Sequence, residues 1–78
     1  MDMYLGQIVI FPFPFTPTGF RNCDGSVLSI RGNEALYSLL GTQFGGDGTT
    51  TFALPNYTKI APPGSLYCIA TQGAFPQR

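Results

Sequence analysis

Residues 33–41 read NEALYSLLG and form the one segment of the chain with clear helical character. Asn33 suits the N-cap, Glu34 would lie at the positive end of the helix dipole, and Gly41 suits the position after the last turn. A helix of about two turns is not stable alone, so packing must hold it. Its apolar residues cover more than one stripe, which predicts one face against a sheet and another that needs a partner. These residues are Ala35, Leu36, Tyr37, Leu39 and Leu40.

Three segments around the helix have the β-branched and aromatic composition of strands: residues 5–11, 26–30 and 66–71. Turn-forming residues separate them. The dipeptide Asp24-Gly25 is a strong hairpin signal, so we expect a tight β-ribbon around it. The pattern predicts a single α+β domain over residues 1–78, a small mixed β-ribbon and sheet domain with one short helix and many turns.

Phenylalanine alternates with proline just after the first predicted strand. Pro12 and Pro14 remove two backbone donors, so the chain beyond Phe11 is an edge or an extended segment outside the ladder. Phe11, Phe13 and Phe15 follow at a spacing of two and would share one face. Two interpretations stay open: this face covers the domain's own core, or it stacks on a neighbouring subunit.

The composition favours self-association. Charged residues make up 10% of the chain, against about 25% in ordinary soluble domains. Hydrophobic residues make up 44%, with seven Phe and four Tyr, and 78 residues cannot bury all these rings. Leftover apolar surface usually marks an interface. With zero net charge and no basic stripe we expect no nucleic acid partner, and the longest apolar run is too short for membrane insertion.

The chain lacks the residues from which catalytic and metal sites are built. It has no histidine and only four Asp or Glu, and none stands in a nucleophile–base arrangement, so we predict no enzyme, metal or cofactor. The glycine-rich residues 43–48 lack the Lys of a phosphate loop, and Asp47 is the only carboxylate near a calcium-type loop. We interpret them as a turn that places Phe44 and Phe52 in packing. Cys23 and Cys68 are either bonded to each other or, as we prefer, two buried inert thiols.

Several motifs follow one another in a specific order: Gly6-Gln7-Ile8, Pro17-Thr18-Gly19-Phe20, Cys23-Asp24-Gly25, and residues 33–42, 44–48 and 50–55. In this order they resemble the phage tail collar domain, in the compact form of microcystin-dependent-type proteins. Residues 67–78, which include Gly73, Phe75, Pro76 and Arg78, resemble the closing segment of the same proteins. The chain departs from the pattern at Phe20, where relatives commonly carry Trp, and at Asn56, where they carry Asp. The basic continuation after that point is replaced by residues 57–60.

The resemblance implies a structural module of a phage or phage-like tail fibre or tail tip. It implies assembly as a homo-oligomer, which we expect to be a trimer because such fibres are three-fold. The implied partners are the chain itself and other tail or baseplate proteins. The implied location is the virion tail or a phage-like injection particle. Because the first residues lack the positive region of a secretory signal, we expect synthesis in the bacterial cytoplasm without a signal peptide.

The candidate oligomer interface comprises Phe11, Phe13, Phe15, Tyr37 and Leu40. The alternative function is recognition of a host-surface glycan or protein receptor, with Tyr57 and Tyr67 as the candidate contact residues. Longer relatives carry a distal insertion, and in short tail fibres of contractile coliphages this region resembles a receptor-binding head with metal-binding histidine pairs. Only residues 56–64 fill that gap here, so receptor binding is not carried over. A different role in a contractile injection system also stays open.

Overall fold

The computed structural model describes residues 3–76 and contains one short helix and five strands in two small sheets. The α+β prediction is confirmed. Arg78, which belongs to the predicted closing segment, lies outside the described residues. So do Met1 and Asp2, which are part of the start on which the prediction of no signal peptide rests. The elements are β1 (Ile8–Phe11), β2 (Phe20–Asn22), β3 (Val27–Ser29), α1 (Glu34–Leu40), β4 (Thr51–Ala53) and β5 (Leu66–Ala70).

The first sheet places β5 between β1 and β2, with both pairs antiparallel. Cys68 of β5 is the register partner of Val9 on one side and of Asn22 on the other. The side chains of residues 68–70 are buried, as the uninterrupted apolar sequence of β5 suggests for a central strand. The first strand is shorter than predicted because Gly6, with φ +82°, lies in a turn ahead of it.

The second sheet pairs β3 with β4, and its buried centre is the opposed pair Leu28 and Phe52. Backbone hydrogen bonds continue this pairing beyond the strands, as far as the Tyr57 N–H, which donates to the Cys23 carbonyl at 2.8 Å. Residues 23–30 therefore form a ribbon with residues 50–57, and not with the preceding strand as the sequence analysis expected.

The predicted hairpin around Asp24-Gly25 is wrong, because β2 pairs with β5 and β3 pairs with β4. The Asp24 carboxylate instead accepts hydrogen bonds from the Ser26 N–H, at 3.0 Å, and from the Ser26 hydroxyl. This local turn and the φ of +83° at Gly25 carry the chain from one sheet to the other. Cys23 is the junction, since its N–H donates to the Tyr67 carbonyl of the first sheet at 2.9 Å.

The helix packs through Leu36, whose side chain is 2% exposed. Asn33 occupies the N-cap position as predicted, but its side chain makes no cap hydrogen bond and donates to the Ser29 carbonyl at 2.9 Å. Gly41 ends the helix with φ +58°, and its N–H donates to the Tyr37 carbonyl at 2.7 Å. The core cluster joins the helix to both sheets and consists of Leu5, Cys23, Leu28, Leu36, Phe52, Leu54 and Ile69.

Candidate interaction surface

Four phenylalanine rings form a continuous row beside the three-stranded sheet, and we call them the aromatic row. Phe20 contacts Phe11 edge-to-face, with ring centroids 5.0 Å apart. Phe11 stacks on Phe13 at 5.2 Å, and Phe13 stacks on Phe15 at 4.3 Å. Offset-stacked and edge-to-face contacts at such distances are the favoured arrangements of aromatic pairs. The rings predicted to share a face do so, and Phe20 extends the row.

The row follows from the local sequence. Pro12 and Pro14 fix their own φ near −65° and have no N–H to donate, so β1 ends at Phe11 and the chain leaves the ladder as predicted. The segment is not extended, however, because residues 12–15 form successive bends, and the three rings come together across these bends. Phe11 lies in β1 and Phe20 in β2, and both strands pair with β5. The contact between these two rings therefore crosses over β5.

The two ends of the row differ in exposure. Phe11 and Phe13 are half-buried, whereas Phe15 is 62% exposed. The inner rings thus belong to the chain's own packing, and the outer ring lies in solvent. The interpretation that this face covers the domain's own core therefore holds for the inner rings, and stacking of Phe15 on a neighbouring subunit stays a prediction.

The strand β1 carries a second exposed apolar group that sequence analysis did not single out. Ile8 is 39% exposed and Ile10 is 42% exposed. Both lie on the same side of a strand that, within residues 3–76, has β5 as its one sheet neighbour. Such an edge presents unpaired backbone N–H and C=O groups next to exposed side chains. The sequence signal for this surface was that all four residues 8–11 are apolar, so both faces of the strand carry apolar side chains.

The two helical residues of the predicted interface make contacts within the chain. The Tyr37 ring is tilted against Phe52, with centroids 5.5 Å apart, and its hydroxyl donates to the Gly48 carbonyl at 3.3 Å. Leu40 is half-buried against the core cluster. Their assignment to an oligomer interface stays a prediction.

The two predicted receptor-contact residues lie together. The rings of Tyr57 and Tyr67 meet edge-to-face with centroids 5.9 Å apart, and both pack against the core cluster. Each is half-buried. Receptor contact through these rings stays a prediction.

The glycine-rich segment is a turn organised by the Asp47 carboxylate. One carboxylate oxygen accepts hydrogen bonds from the N–H groups of Thr49 and Thr50, each at 2.8 Å, and of Thr51 at 2.9 Å. The other accepts from the Thr50 hydroxyl at 2.9 Å. These donors hold the pKa of the Asp47 carboxyl far below its usual range, because they stabilise its charged form.

The predicted turn is confirmed, and its effect on the two flanking rings is confirmed for one of them. Phe52 is fully buried, but Phe44 is 40% exposed, so its predicted packing is wrong. The physical reason is that the backbone of Gly45 and Gly46, and not the Phe44 side chain, packs against β4. The Gly45 carbonyl accepts a hydrogen bond from the Ala53 N–H at 3.1 Å, and Gly46 lies directly against the Phe52 backbone.

Both thiols are buried and free, which agrees with the preferred interpretation. Burial, followed by the charges of Cys68 and Asp24, raises the pKa of Cys23 to about 11. Burial also raises the pKa of Cys68, and the Thr16 hydroxyl opposes that shift. Both groups are therefore neutral at pH 7, and neither has the character of a reactive thiolate.

Across residues 3–76, no group of three or more His, Cys, Asp or Glu side chains lies close enough to hold a metal ion. No helix in the same range is long and apolar enough to cross a membrane.

A family model for the phage tail collar domain matches residues 6–62, a stretch that contains the whole aromatic row, the helix and four of the five strands. The chain belongs to the phage tail collar domain family. Comparison with curated proteins and with solved structures gave no significant match. The family consists of structural tail-fibre proteins and is not known to be enzymatic. This collar domain is accordingly a structural module of a phage tail fibre and is associated with the virion.

The matched stretch ends before β5, although β5 is the central strand of the larger sheet in this collar domain. Residues 66–70 pair with β1 and β2, which both lie inside the match. The segment after the match therefore completes the sheet on which the aromatic row is built. The resemblance of residues 67–78 to the closing segment of other collar proteins stays an expectation.

Proposed function

We propose that this collar domain assembles as a homotrimer and acts as a structural unit of the tail fibre through that assembly. The observation that carries the proposal is the aromatic row, which runs from the half-buried Phe11 to the exposed Phe15. A large exposed ring at the end of an ordered stack is a typical anchor for a protein interface.

The stack prepares Phe15 for binding. Its ring already lies on Phe13 at 4.3 Å, and Pro14 limits the backbone between them. Little conformational freedom is then left to lose when a partner covers the ring. Fully burying a Phe side chain contributes about 1.5–3 kcal/mol, and because Phe15 is 62% exposed, roughly 1–2 kcal/mol of this gain is available to assembly.

The chain presents two separate apolar patches, which suits a cyclic assembly. One is the exposed end of the aromatic row, and the other is formed by Ile8 and Ile10 on the edge strand β1. In a ring each contact joins two different patches of neighbouring copies, so a closed ring covers both on every copy. With charged residues at 10%, few charges keep such patches apart. The choice of three copies follows from the three-fold symmetry of tail fibres.

The other partners of the assembly follow from its place in the virion. A trimer of collar domains would dock on other tail or baseplate proteins and contribute to host attachment as part of the fibre. Tyr57 and Tyr67 support a direct receptor contact less well, because each ring is partly buried against the other ring and against the core cluster.

Light scattering on the purified chain tests the proposal. We expect three times the monomer mass and a melting temperature that rises with protein concentration, because an interface made only by folded chains stabilises the folded state by mass action. A folded monomer at high concentration, with a melting temperature that dilution does not change, would overturn the trimer.

A further inference from the structure

We propose that a groove between the two ends of the described chain binds a neutral sugar. The groove has a volume of about 510 Å³, which lies within the range of small-molecule sites. Three separate segments line it, around residues 3–4, 18–20 and 72–74. We call it the terminal groove, and its chief lining residues are Tyr4, Thr18, Gly19, Phe20, Gln72 and Gly73. The inference does not rest on the trimer.

Backbone hydrogen bonds hold the three segments in place. The Leu5 N–H donates to the Ala74 carbonyl and the Ala74 N–H donates to the Met3 carbonyl, each at 2.9 Å. The Thr71 N–H donates to the Gly19 carbonyl at 2.9 Å, which ties the second segment to the third. A groove fixed in this way loses little conformational freedom when a ligand enters, which lowers the entropic cost of binding.

Glycine is required at the point where the two terminal segments meet. Gly73 has φ +135°, and a Cβ there would overlap the Met3 carbonyl and lie 3.3 Å from the Leu5 nitrogen. Gly19 has φ +89° and lies near the Gln72 amide oxygen. At Gly73 the wall of the groove is therefore closely packed backbone, which a residue with a side chain at this position would push apart.

The lining combines aromatic rings with neutral polar groups. Tyr4 is 58% exposed, and the Phe20 ring is fixed by its edge-to-face contact with Phe11. Within residues 3–76, no hydrogen bond engages the Tyr4 hydroxyl, the Thr18 hydroxyl or the Gln72 side-chain amide. Among the described residues 3–76, those that line the groove are all uncharged.

These features match the chemistry of a neutral sugar. One face of a sugar ring presents C–H groups, which pack on the negative face of an aromatic ring, and the ring edge presents hydroxyls for an amide or a hydroxyl. Because the described lining residues are uncharged, they offer no basic partner for acidic sugars or phosphates, which favours a neutral ligand. Two other cavities among the described residues differ, since one is lined mainly by proline and aliphatic residues and the second contains Arg21 and Asp24.

The test is an NMR titration of the folded chain with lactose, maltose and N,N′-diacetylchitobiose, with galacturonic acid as a charged comparison. The sugars are raised to roughly 50 mM, since a ligand of this size in an open groove binds at about the millimolar level. We expect at least one neutral sugar to shift the backbone amide signals of Gly19, Gln72 and Gly73, and galacturonic acid to shift them less.

Two variants and one control locate the site. Tyr4→Ala should weaken binding by about tenfold, as expected for the loss of an aromatic anchor, and Gln72→Ala should weaken it several-fold. Both side chains are exposed, so the folded spectrum should persist. Phe44→Ala, which removes an exposed ring outside the groove, should leave binding unchanged.

Three outcomes would overturn the proposal. The first is that none of the neutral sugars moves the three amide signals. The second is that Phe44→Ala weakens binding as much as Tyr4→Ala, which would show non-specific contact with exposed rings. The third is that the same amides shift when the protein alone is concentrated and stay unmoved by sugar, which would assign the groove to contact between copies of the chain.

Discussion

Gly46 lies directly against the backbone of Phe52, so close that a Cβ on Gly46 would overlap the Phe52 Cα and approach its nitrogen to 2.8 Å. Gly46 also has φ +92°, a conformation that other residues rarely adopt. Phe52 is fully buried at the centre of the core cluster. The position of the glycine-rich turn is thus coupled directly to the core.

Gly46→Ala should destabilise the fold strongly. We expect a loss of more than about 3 kcal/mol, because the substitution combines backbone strain with overlap against β4. Gly32→Ala is the matched control, since Gly32 has φ +88° but nothing within 4 Å of an added Cβ. It should lose only the strain energy, about 1–2 kcal/mol. Urea denaturation compares them, and equal losses would show that the close approach to Phe52 does not matter.

Sequence reasoning succeeded where the signal was local. The helix at residues 34–40 and the strands near residues 8, 27 and 66 follow from composition and flanking glycines. It failed at Asp24-Gly25, because a hairpin signal describes a turn but not the partner of the strand that follows it. The partners of β2 and β3 lie far along the chain, and pairing over that distance is decided by the joint packing of the core.

Leu36→Asp tests the packing of the helix. Leu36 is buried among the core residues, and an unpaired carboxylate there should unfold the domain. Ala35→Asp is the control on the neighbouring exposed position, where a carboxylate in the first turn is compatible with the helix dipole. Circular dichroism melting should show loss of the transition for Leu36→Asp alone. A wild-type melt for both variants would remove the helix from the core.

The Asp47 turn predicts a dependence of stability on pH. The pKa of the Asp47 carboxyl is lowered in the folded chain relative to about 3.9 in an unfolded one, so its contribution is present above about pH 4 and is lost as the pH falls further. Asp47→Asn should be less stable at pH 7 and should lose less stability on acidification. Denaturation measured at about pH 7 and about pH 3 gives the two differences.

Asp24, the second residue whose carboxyl pKa is lowered, provides the control for this titration. Hydrogen bonds from Ser26 lower the pKa of Asp24 in the same direction. Asp24→Asn should therefore keep the part of the acid sensitivity that belongs to Asp47, and the double variant should lose both parts. If Asp47→Asn and the wild type lose the same stability on acidification, the three backbone donors do not stabilise the charged carboxylate.

The thiols should be unreactive in the folded chain. Cys23 and Cys68 are fully buried, and the pKa of Cys23 is raised to about 11, so little thiolate exists at pH 7. Ellman's reagent should label neither thiol in native buffer and both in urea. Rapid native labelling, or a native mass two hydrogens below that of the reduced chain, would contradict the structure.

The candidate surface was predictable only in part. The spacing of Phe11, Phe13 and Phe15 predicts a shared face, but the position of Phe20 at the head of the row depends on its strand pairing with β5. Likewise, the terminal groove joins Tyr4 to Gln72, which are distant in the sequence and meet because the two ends of the described chain pair in parallel. Side-chain spacing cannot reveal contacts that long-range backbone pairing creates.

The exposed end of the aromatic row should decide whether the chain assembles. Phe15→Ser removes a ring that is 62% exposed, so the monomer fold should survive, with a melting temperature close to wild type at high dilution. If neighbouring copies cover this ring, each contact loses roughly 1–2 kcal/mol, since only the exposed part of the ring is newly buried on assembly. The concentration at which half of the chains are assembled should then rise by at least about tenfold in sedimentation equilibrium.

Phe44→Ser is the matched control, because it also removes an exposed phenylalanine ring but from a loop outside the aromatic row. Its assembly should follow that of the wild type. An equal weakening by both variants would mean that exposed rings associate without a defined geometry, and an unchanged assembly of Phe15→Ser would place the interface elsewhere. Weakening by Phe15→Ser alone assigns the contact to the aromatic row, because both variants lose an exposed phenylalanine ring but only Phe15→Ser takes it from that row.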